Sequence, residues 1–371
     1  MTQLDTTRPL HDRPASTPAA PPEDPWDGVP TYDPARGTIQ IGRYTDDATP
    51  ARWLLHAPGR GAASGVIGGS MGSGKTSALL VIAGETGQAR LCVACGADRS
   101  CARCDLRRIA ALWMADPLRQ SLAGFRGQAD LMAWGSYATV HMLIMLRAGM
   151  RARAGTGCAG CYDPAPDRPL VTGLVDDWQW ILEDPELAWL GRWAAASILR
   201  EGPRAGAGLT LLVPSLAPAG FPAELRKARN VLCGRTGYRS GPVLGIQGDT
   251  GTLPRLPGVG YLNGPDDRPG AVMRAKYLPQ LLGPGQPGPD ADAVAGRIGQ
   301  EHAGLDEVFR AAVVPLGYTG PGQVLADEPM KAALEFLASP AGTGLDIEDA
   351  LRHVTGGTAG PQRPSPSGAD Q

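Results

Sequence analysis

Aromatic residues and long apolar runs are scarce in this sequence, and these shortages limit the classes of protein that it can encode. Aromatic residues make up 5% of the 371 positions, although the 43% hydrophobic content suffices for a sizeable core. No apolar run approaches the roughly 20 residues that span a bilayer, and the N-terminus lacks the apolar segment of a signal peptide. We therefore expect a cytoplasmic protein without a membrane segment.

A strong charge of one sign is also missing. The formal net charge is -2 at pH 7, which excludes a protein that is covered in positive charge. Any contact with DNA must therefore be local. The most basic stretch lies between Arg200 and Arg239.

Disulfide bonds are not expected, because the cytosol keeps thiols reduced. Six of the seven cysteines instead form C-x-x-C pairs, which suggest metal ligands. Four thiolates favour tetrahedral Zn²⁺, and the simplest structural zinc site uses Cys92, Cys95, Cys101 and Cys104. A site that shares Cys158 and Cys161 with either other pair is the main variant, and free buried thiols are the alternative to zinc.

Glycine and proline are abundant, with 51 and 35 residues, and they indicate long loops and unordered ends. The fold expected is α/β, with disordered termini and a small helical appendage at the C-terminus. The predicted organisation is a disordered tail over 1–36, an ATPase domain over 37–280 with cysteine-rich inserts at 92–104 and 158–161, a linker over 281–290, a small helical region over 291–355 and a second tail over 356–371.

The strongest motif is Gly69-Ser-Met-Gly-Ser-Gly-Lys-Thr76, which fits the phosphate-binding loop G-x4-G-K-[ST] without a mismatch. Glycines let the backbone point successive N–H groups at a polyphosphate. Lys75 can bridge the outer phosphates, and the Thr76 hydroxyl can hold Mg²⁺. A short apolar strand precedes the loop and a helix follows it, which favours a nucleotide site over a chance match. The predicted nucleotide-binding residues are Gly69, Ser70, Met71, Gly72, Ser73, Gly74, Lys75, Thr76 and Ser77.

A second motif is the apolar run 169–175, which predicts a buried strand that ends at two acids. Nucleotide sites of parallel sheets lie at the carboxyl ends of the strands. Asp176 is therefore the candidate ligand of Mg²⁺, directly or through water, and Asp177 the candidate that positions the attacking water. A turn at the end of a strand is the alternative reading of this pair.

Other patterns predict the surrounding elements. A hairpin covers residues 37–56, a buried strand ends at Asp116, and a helix capped by Ser136 runs through Arg153. The arginines in the last turns of that helix are better explained by the helix dipole than by DNA. The remaining patterns predict a helix from Asp184 to about Glu201, a strand over 208–213, and helices around 291–312, 328–337 and 347–354.

In this order, the motifs resemble the motor domain of the FtsK/SpoIIIE family of hexameric DNA translocases, which includes plasmid-transfer proteins of actinomycetes. The resemblance covers residues 37–277. It implies a RecA-like fold, ATP with Mg²⁺, a hexameric ring of copies of the chain, double-stranded DNA as the track, and membrane-bound partner proteins. Arg204 lies near the family's arginine-glycine segment and is the candidate that acts across a subunit interface, with Arg235 and Arg239 as rivals and ordinary surface arginines as the alternative.

The chain departs from the family pattern at three points. Asp177 stands where the family usually has glutamate, Ser215 replaces the sensor glutamine, and no winged-helix module is recognised. Two functions therefore stay open: an ATP-driven motor that moves double-stranded DNA, or a non-translocating ATP-dependent switch or scaffold that hydrolyses weakly and binds a partner protein.

Overall fold

A computed structural model describes residues 24–96, 105–156, 162–214, 225–226, 228–236, 245–276, 289–299 and 301–356. One large sheet with helices on both faces forms the centre of the molecule. None of the helices in these ranges is long and apolar enough to cross a membrane. The architecture is the mixed α/β fold that the sequence predicts.

The strands are, in chain order, β1 (Thr38–Tyr44), β2 (Pro50–Leu54), β3 (His56–Ala57), β4 (Gly61–Ala62), β5 (Gly65–Gly68), β6 (Arg90–Cys92), β7 (Leu106–Arg108), β8 (Ala110–Asp116), β9 (Leu131–Trp134), β10 (Leu170–Val175), β11 (Ala207–Val213), β12 (Asn230–Gly234), β13 (Val259–Asn263), β14 (Val272–Ala275) and β15 (Gln323–Leu325). The helices are α1 (Lys75–Gln88), α2 (Ser136–Gly155), α3 (Gln179–Glu183), α4 (Ala188–Glu201), α5 (Pro289–Ile298), α6 (Glu307–Val313), α7 (Glu328–Ala338) and α8 (Ile347–Val354).

The main sheet has eleven strands in the order β15-β9-β8-β10-β11-β5-β12-β13-β14-β1-β2. The strands from β15 to β12 are parallel, so their carboxyl ends meet at one edge. From β12 onward the pairs are antiparallel. Strands β1 and β2 form the predicted hairpin. In the sheet, three strands lie between this hairpin and β5.

Two apolar layers lie on opposite faces of this sheet. Along β8, Trp113 belongs to one buried cluster while Leu112 and Met114 belong to the other, as the alternation of a strand requires. Residues of α2, α4, α6, α7 and α8 fill the first layer, and those of α1 and α5 fill the second. Because both faces are covered, β8, β10 and β11 are buried along their whole length and consist mostly of apolar residues.

The C-terminal region is joined to the sheet and to α2. Strand β15 pairs in parallel with β9 at the sheet edge. Gly135, not Ser136, occupies the N-cap position of α2, with φ 123°, a value that side chains disfavour. The carboxylate of Asp327 instead accepts the Ala138 N–H at 2.9 Å. The predicted Ser136 cap is therefore wrong, because a distant acid supplies the acceptor at the positive end of the helix.

Two arginines near the end of α2 bind the C-terminal helices. Arg147 forms an ion pair with Glu348 of α8. Arg153 pairs with Asp306, the residue that caps α6. These contacts give both arginines structural partners in addition to the helix dipole.

Candidate nucleotide-binding site

The phosphate-binding loop connects β5 to α1 in a conformation that only glycine adopts easily. Gly69, Gly72 and Gly74 have φ values of 151°, 77° and 87°. A Cβ atom added at Gly74 would lie 2.3 Å from the backbone nitrogen of Gly258. No side chain caps the first turn of α1, which begins directly after Gly74. The free N–H groups of this turn suit the binding of a phosphate anion.

Neighbouring strands hold the loop in place. Ser70 donates two hydrogen bonds of 2.9 Å, from its backbone N–H and its hydroxyl, to the carbonyl of Arg235 after β12. The Gly258 N–H donates to the Ser73 carbonyl at 2.8 Å. The Ser73 hydroxyl is buried and has no hydrogen-bond partner in the described part of the chain. The loop is thus anchored to backbone that lies beyond its own strand and helix.

Lys75 lies over the loop and is close to the acids of β10. Its ammonium group donates to the carbonyls of Gly69 at 2.8 Å and Ser70 at 3.2 Å. Burial lowers the pKa of Lys75, while the negative charges of Asp177 and Asp176 act in the opposite direction. This position places a positive charge at the mouth of the loop.

Asp176 follows β10 and connects this strand to the phosphate-binding loop. The Thr76 hydroxyl donates to its Oδ2 atom at 3.3 Å, and the Ser121 hydroxyl donates to the same atom at 2.5 Å. Burial raises the pKa of Asp176 to about 6, although the hydrogen bond from Ser121 opposes this shift. A hydroxyl and a carboxylate so placed fit the oxygen ligands that Mg²⁺ prefers.

Asp177 has an unusual backbone conformation for a residue that is not glycine. Its φ angle is 43°, in the left-handed region. Its N–H donates to Oδ1 of Asp176 at 2.9 Å. Burial raises the pKa of Asp177, and the charge of Lys75 lowers it. Strain of this kind is concentrated at functional sites.

Ser121 and Asp116 belong to the same site but have no sequence motif. Asp116 ends β8, which is adjacent to β10. Its Oδ2 accepts the N–H groups of Gln120 and Leu122, each at 2.9 Å. This arrangement holds Ser121 against Asp176. In the sequence, the only signal for this part of the site was the acid Asp116 at the end of a predicted strand. That signal did not point to Ser121.

The candidate arginines lie at different edges of the sheet. Arg235 follows β12 beside the phosphate-binding loop, and its guanidinium donates to the Leu253 carbonyl at 2.5 Å. Arg204 lies in a short 3-10 helix before β11, at the amino ends of the parallel strands. Within one subunit Arg204 therefore does not join the nucleotide site, and its action across an interface stays a prediction. Arg239 and Ser215 lie outside the described residues.

The structure describes only part of the cysteine cluster. Cys92 ends β6, which pairs with β7, and its sulfur accepts the Ala94 N–H at 3.3 Å. Four of the other predicted ligands lie outside the described ranges, namely Cys101, Cys104, Cys158 and Cys161. Within those ranges, no group of three or more histidine, cysteine, aspartate or glutamate side chains is arranged to hold a metal ion.

Comparison with known proteins identifies the fold. No protein-family model matches the sequence, and no curated protein matches it significantly. The cytoplasmic domain of the Thermomonospora curvata type VII secretion ATPase EccC has a TM-score of 0.52 and 17% identity, over 76% of this chain and 33% of that chain.

Two further solved structures are similar. ATPases 2 and 3 of Thermomonospora curvata EccC, in complex with a signal sequence peptide, have a TM-score of 0.49 and 16% identity, over 69% of this chain and 43% of that one. The pCW3 conjugation coupling protein TcpA with ATPγS has a TM-score of 0.47 and 14% identity, over 70% of this chain and 71% of that one. The matched region spans less than half of either EccC structure.

Identities this low carry information about fold and not about activity. The chain therefore has the fold of the FtsK/SpoIIIE-type P-loop ATPases, as its sequence predicts.

Proposed function

We propose that the chain binds ATP with Mg²⁺ between its phosphate-binding loop and Asp176 and hydrolyses the terminal phosphate. The observation that carries this proposal is the 3.3 Å contact between the Thr76 hydroxyl and the Asp176 carboxylate. These residues are 100 positions apart, yet the fold brings together the two oxygen groups that a nucleotide-bound Mg²⁺ requires.

Each residue of the site has a distinct role in this proposal. The N–H groups of the loop and of the first turn of α1 bind phosphate oxygens. Lys75 exchanges its contacts with the Gly69 and Ser70 carbonyls for the outer phosphates. Thr76 and Asp176 hold Mg²⁺, which neutralises negative charge on the phosphates when it is bound. Asp177 accepts a hydrogen bond from the attacking water and so orients it.

We further propose that hydrolysis drives the movement of double-stranded DNA by a ring of subunits. The sequence resemblance supports this proposal, since it extends over the motor region and includes an intact phosphate-binding loop. Because Arg204 lies at the edge of the sheet away from its own nucleotide, it acts on the nucleotide of a neighbouring subunit in this scheme.

A switch that binds ATP without fast turnover is the second candidate. Asp177 favours it, because an aspartate reaches about one bond less far than the glutamate that the family usually has. The charge of Lys75 also lowers the pKa of Asp177, which makes its carboxylate a weaker base toward the attacking water. In this case the bound nucleotide sets the affinity for a partner protein.

The rate of ATP hydrolysis with and without duplex DNA separates these candidates. The motor predicts strong stimulation by DNA, with loss of both basal and stimulated rates in Lys75→Ala. The switch predicts ATP binding with a low rate that DNA does not change. Asp177→Glu tests the cause of a low rate. It should raise the rate of hydrolysis if the short side chain of Asp177 is what limits that rate.

We also propose a structural zinc ion bound by Cys92, Cys95, Cys101 and Cys104. Support comes from the thiolate spacing and from the Ala94 N–H, which donates to the Cys92 sulfur. Metal analysis of the purified protein tests this site. One zinc per chain is expected, with loss of zinc in Cys92→Ser. A fully folded sample without zinc would exclude the site.

A further inference from the structure

Two exposed tryptophans and three arginines, of which Arg147 is largely buried, lie together where α2 and α4 meet, on the face of the sheet that also carries the C-terminal helices. We call this area the Trp–Arg surface, and it consists of Trp189, Trp193, Arg147, Arg151 and Arg200. Trp189 is 61% exposed and Trp193 is 38% exposed. They are four positions apart on α4 and therefore share one face. Exposed tryptophans of this kind are typical of protein interfaces.

A cavity of about 210 Å³ lies beside Trp193 and is lined by all three arginines and by Glu201. The Arg147 guanidinium lies 4.0 Å from the centre of the Trp193 ring and pairs with Glu348. Arg200 pairs with Glu201. No acidic side chain in the described ranges forms an ion pair with Arg151, which is exposed. The cavity thus offers one arginine for the carboxylate of a ligand.

The chain's own α8 shows how a helix uses such a surface. Glu348 of α8 pairs with Arg147, while Ile347 and Leu351 are buried in the core. An acid beside two apolar residues therefore fixes a helix next to α2. Arg151 is one helical turn beyond Arg147 on α2, and the cavity extends from it to Trp193. This position can receive a second helix of the same chemistry.

We propose that the Trp–Arg surface binds an acidic amphipathic helix of a partner protein. One carboxylate of that helix binds Arg151 in the cavity, and its apolar side chains cover Trp189 and Trp193. A protein fits better than DNA, because Glu183, Asp184 and Glu186 lie just before α4. A uniformly negative DNA backbone would be repelled there, whereas a helix can place its acidic residue at Arg151 and uncharged residues beside those acids.

A display library of random peptides of about 16 residues, long enough for four helical turns, tests this proposal on the full-length chain. Selected peptides are expected to combine acidic and apolar residues at helical spacing. Their affinity should fall by about tenfold in Arg151→Gln and in Trp189→Ser. Both side chains are exposed, so melting temperature and ATP binding should not change.

Arg60→Gln is the matched control, because Arg60 is exposed between β3 and β4, away from α2 and α4 in the chain, and does not line the cavity. It should bind the selected peptides as the unmodified chain does. The proposal is overturned if no peptide is enriched, or if enriched peptides bind Arg151→Gln and Trp189→Ser with full affinity. It is also overturned if only duplex DNA or a second copy of the chain occupies the surface, as gel-shift and sedimentation measurements with the same variants would show.

Discussion

The hydroxyl of Ser121 donates a 2.5 Å hydrogen bond to the carboxylate of Asp176, across 55 positions of the sequence. This bond stabilises the ionised form of an acid whose burial otherwise favours protonation. Ser121 therefore keeps Asp176 able to bind a cation near neutral pH, although the serine itself lies in no recognised motif.

Ser121→Ala should weaken Mg²⁺-dependent ATP binding by about three- to tenfold, the usual effect of losing one hydrogen bond to a charged group. The loss of affinity should be larger at pH 6 than at pH 8. Without the hydrogen bond the pKa of Asp176 rises above its value of about 6, so more of the carboxyl is protonated at pH 6. Titration calorimetry at the two pH values measures both effects. Ser121→Thr keeps the hydroxyl and should behave as the unmodified chain, and equal affinities for the alanine and threonine variants would contradict the role.

Asp176→Asn should stabilise the metal-free protein at neutral pH. Well below pH 3.8 the carboxyl is protonated in the folded and unfolded states, so the ionised form carries no cost. As the pH rises from 3.8 to about 6, the unfolded chain ionises first and stability falls. Asparagine does not ionise and therefore avoids this loss of stability, which amounts to about 3 kcal/mol at most.

Thermal melts in a chelator at pH 4 and pH 7.5 test this prediction. The asparagine variant should melt at a higher temperature than the unmodified chain at pH 7.5 and at a similar temperature at pH 4. Its Mg²⁺-dependent hydrolysis should be lost. A lower melting temperature at pH 7.5 would show that ionised Asp176 is not a source of instability.

Asp177→Glu should increase the rate of ATP hydrolysis by about tenfold or more, because a longer acid reaches the attacking water. Affinity for ATP should change little, since the phosphate contacts belong to other residues. Steady-state rates at saturating ATP provide the measurement, with Asp177→Asn as the control that removes the charge. A glutamate variant no faster than the unmodified chain would argue against side-chain length as the limit on turnover.

Asp327→Asn should destabilise the fold by about 1–2 kcal/mol, because the charge at the start of α2 is lost. The same substitution removes the 2.5 Å ion pair with Arg119. Chemical denaturation measures the change, and Glu328→Gln is a suitable control, since Glu328 is an exposed neighbour. ATP binding should be preserved in both variants, and equal stability of the two would contradict the capping role.

The sequence predicted those parts of the fold that depend on local patterns. Glycine spacing located the phosphate-binding loop, and a continuous apolar run located β10 with Asp176 at its end. Helix α8 was also predicted, from a helical pattern over 347–354, and Asp346 caps its start. In each case the residues that determine the structure are close together in the chain.

Contacts between distant residues were not predictable in this way. The Arg235 carbonyl holds Ser70 through its backbone, so its side chain gives no signal. Asp327 caps a helix that begins 191 positions earlier, after Gly135. One helical pattern around 291–312 proved to be two helices, because Gly299 has φ 79° and Asp306 caps a new start. These features depend on the folded arrangement and not on a repeated pattern.

The most direct test of the central claim is the equilibrium binding of ATP by the full-length chain, with Mg²⁺ and with a chelator, compared between the unmodified chain and Lys75→Ala. If Thr76 and Asp176 hold the metal and Lys75 the outer phosphates, Mg²⁺ should strengthen binding of the unmodified chain by at least about tenfold. The alanine variant should bind at least about tenfold more weakly in Mg²⁺. Equal affinities with and without Mg²⁺, or an unchanged affinity in Lys75→Ala, would contradict the nucleotide site.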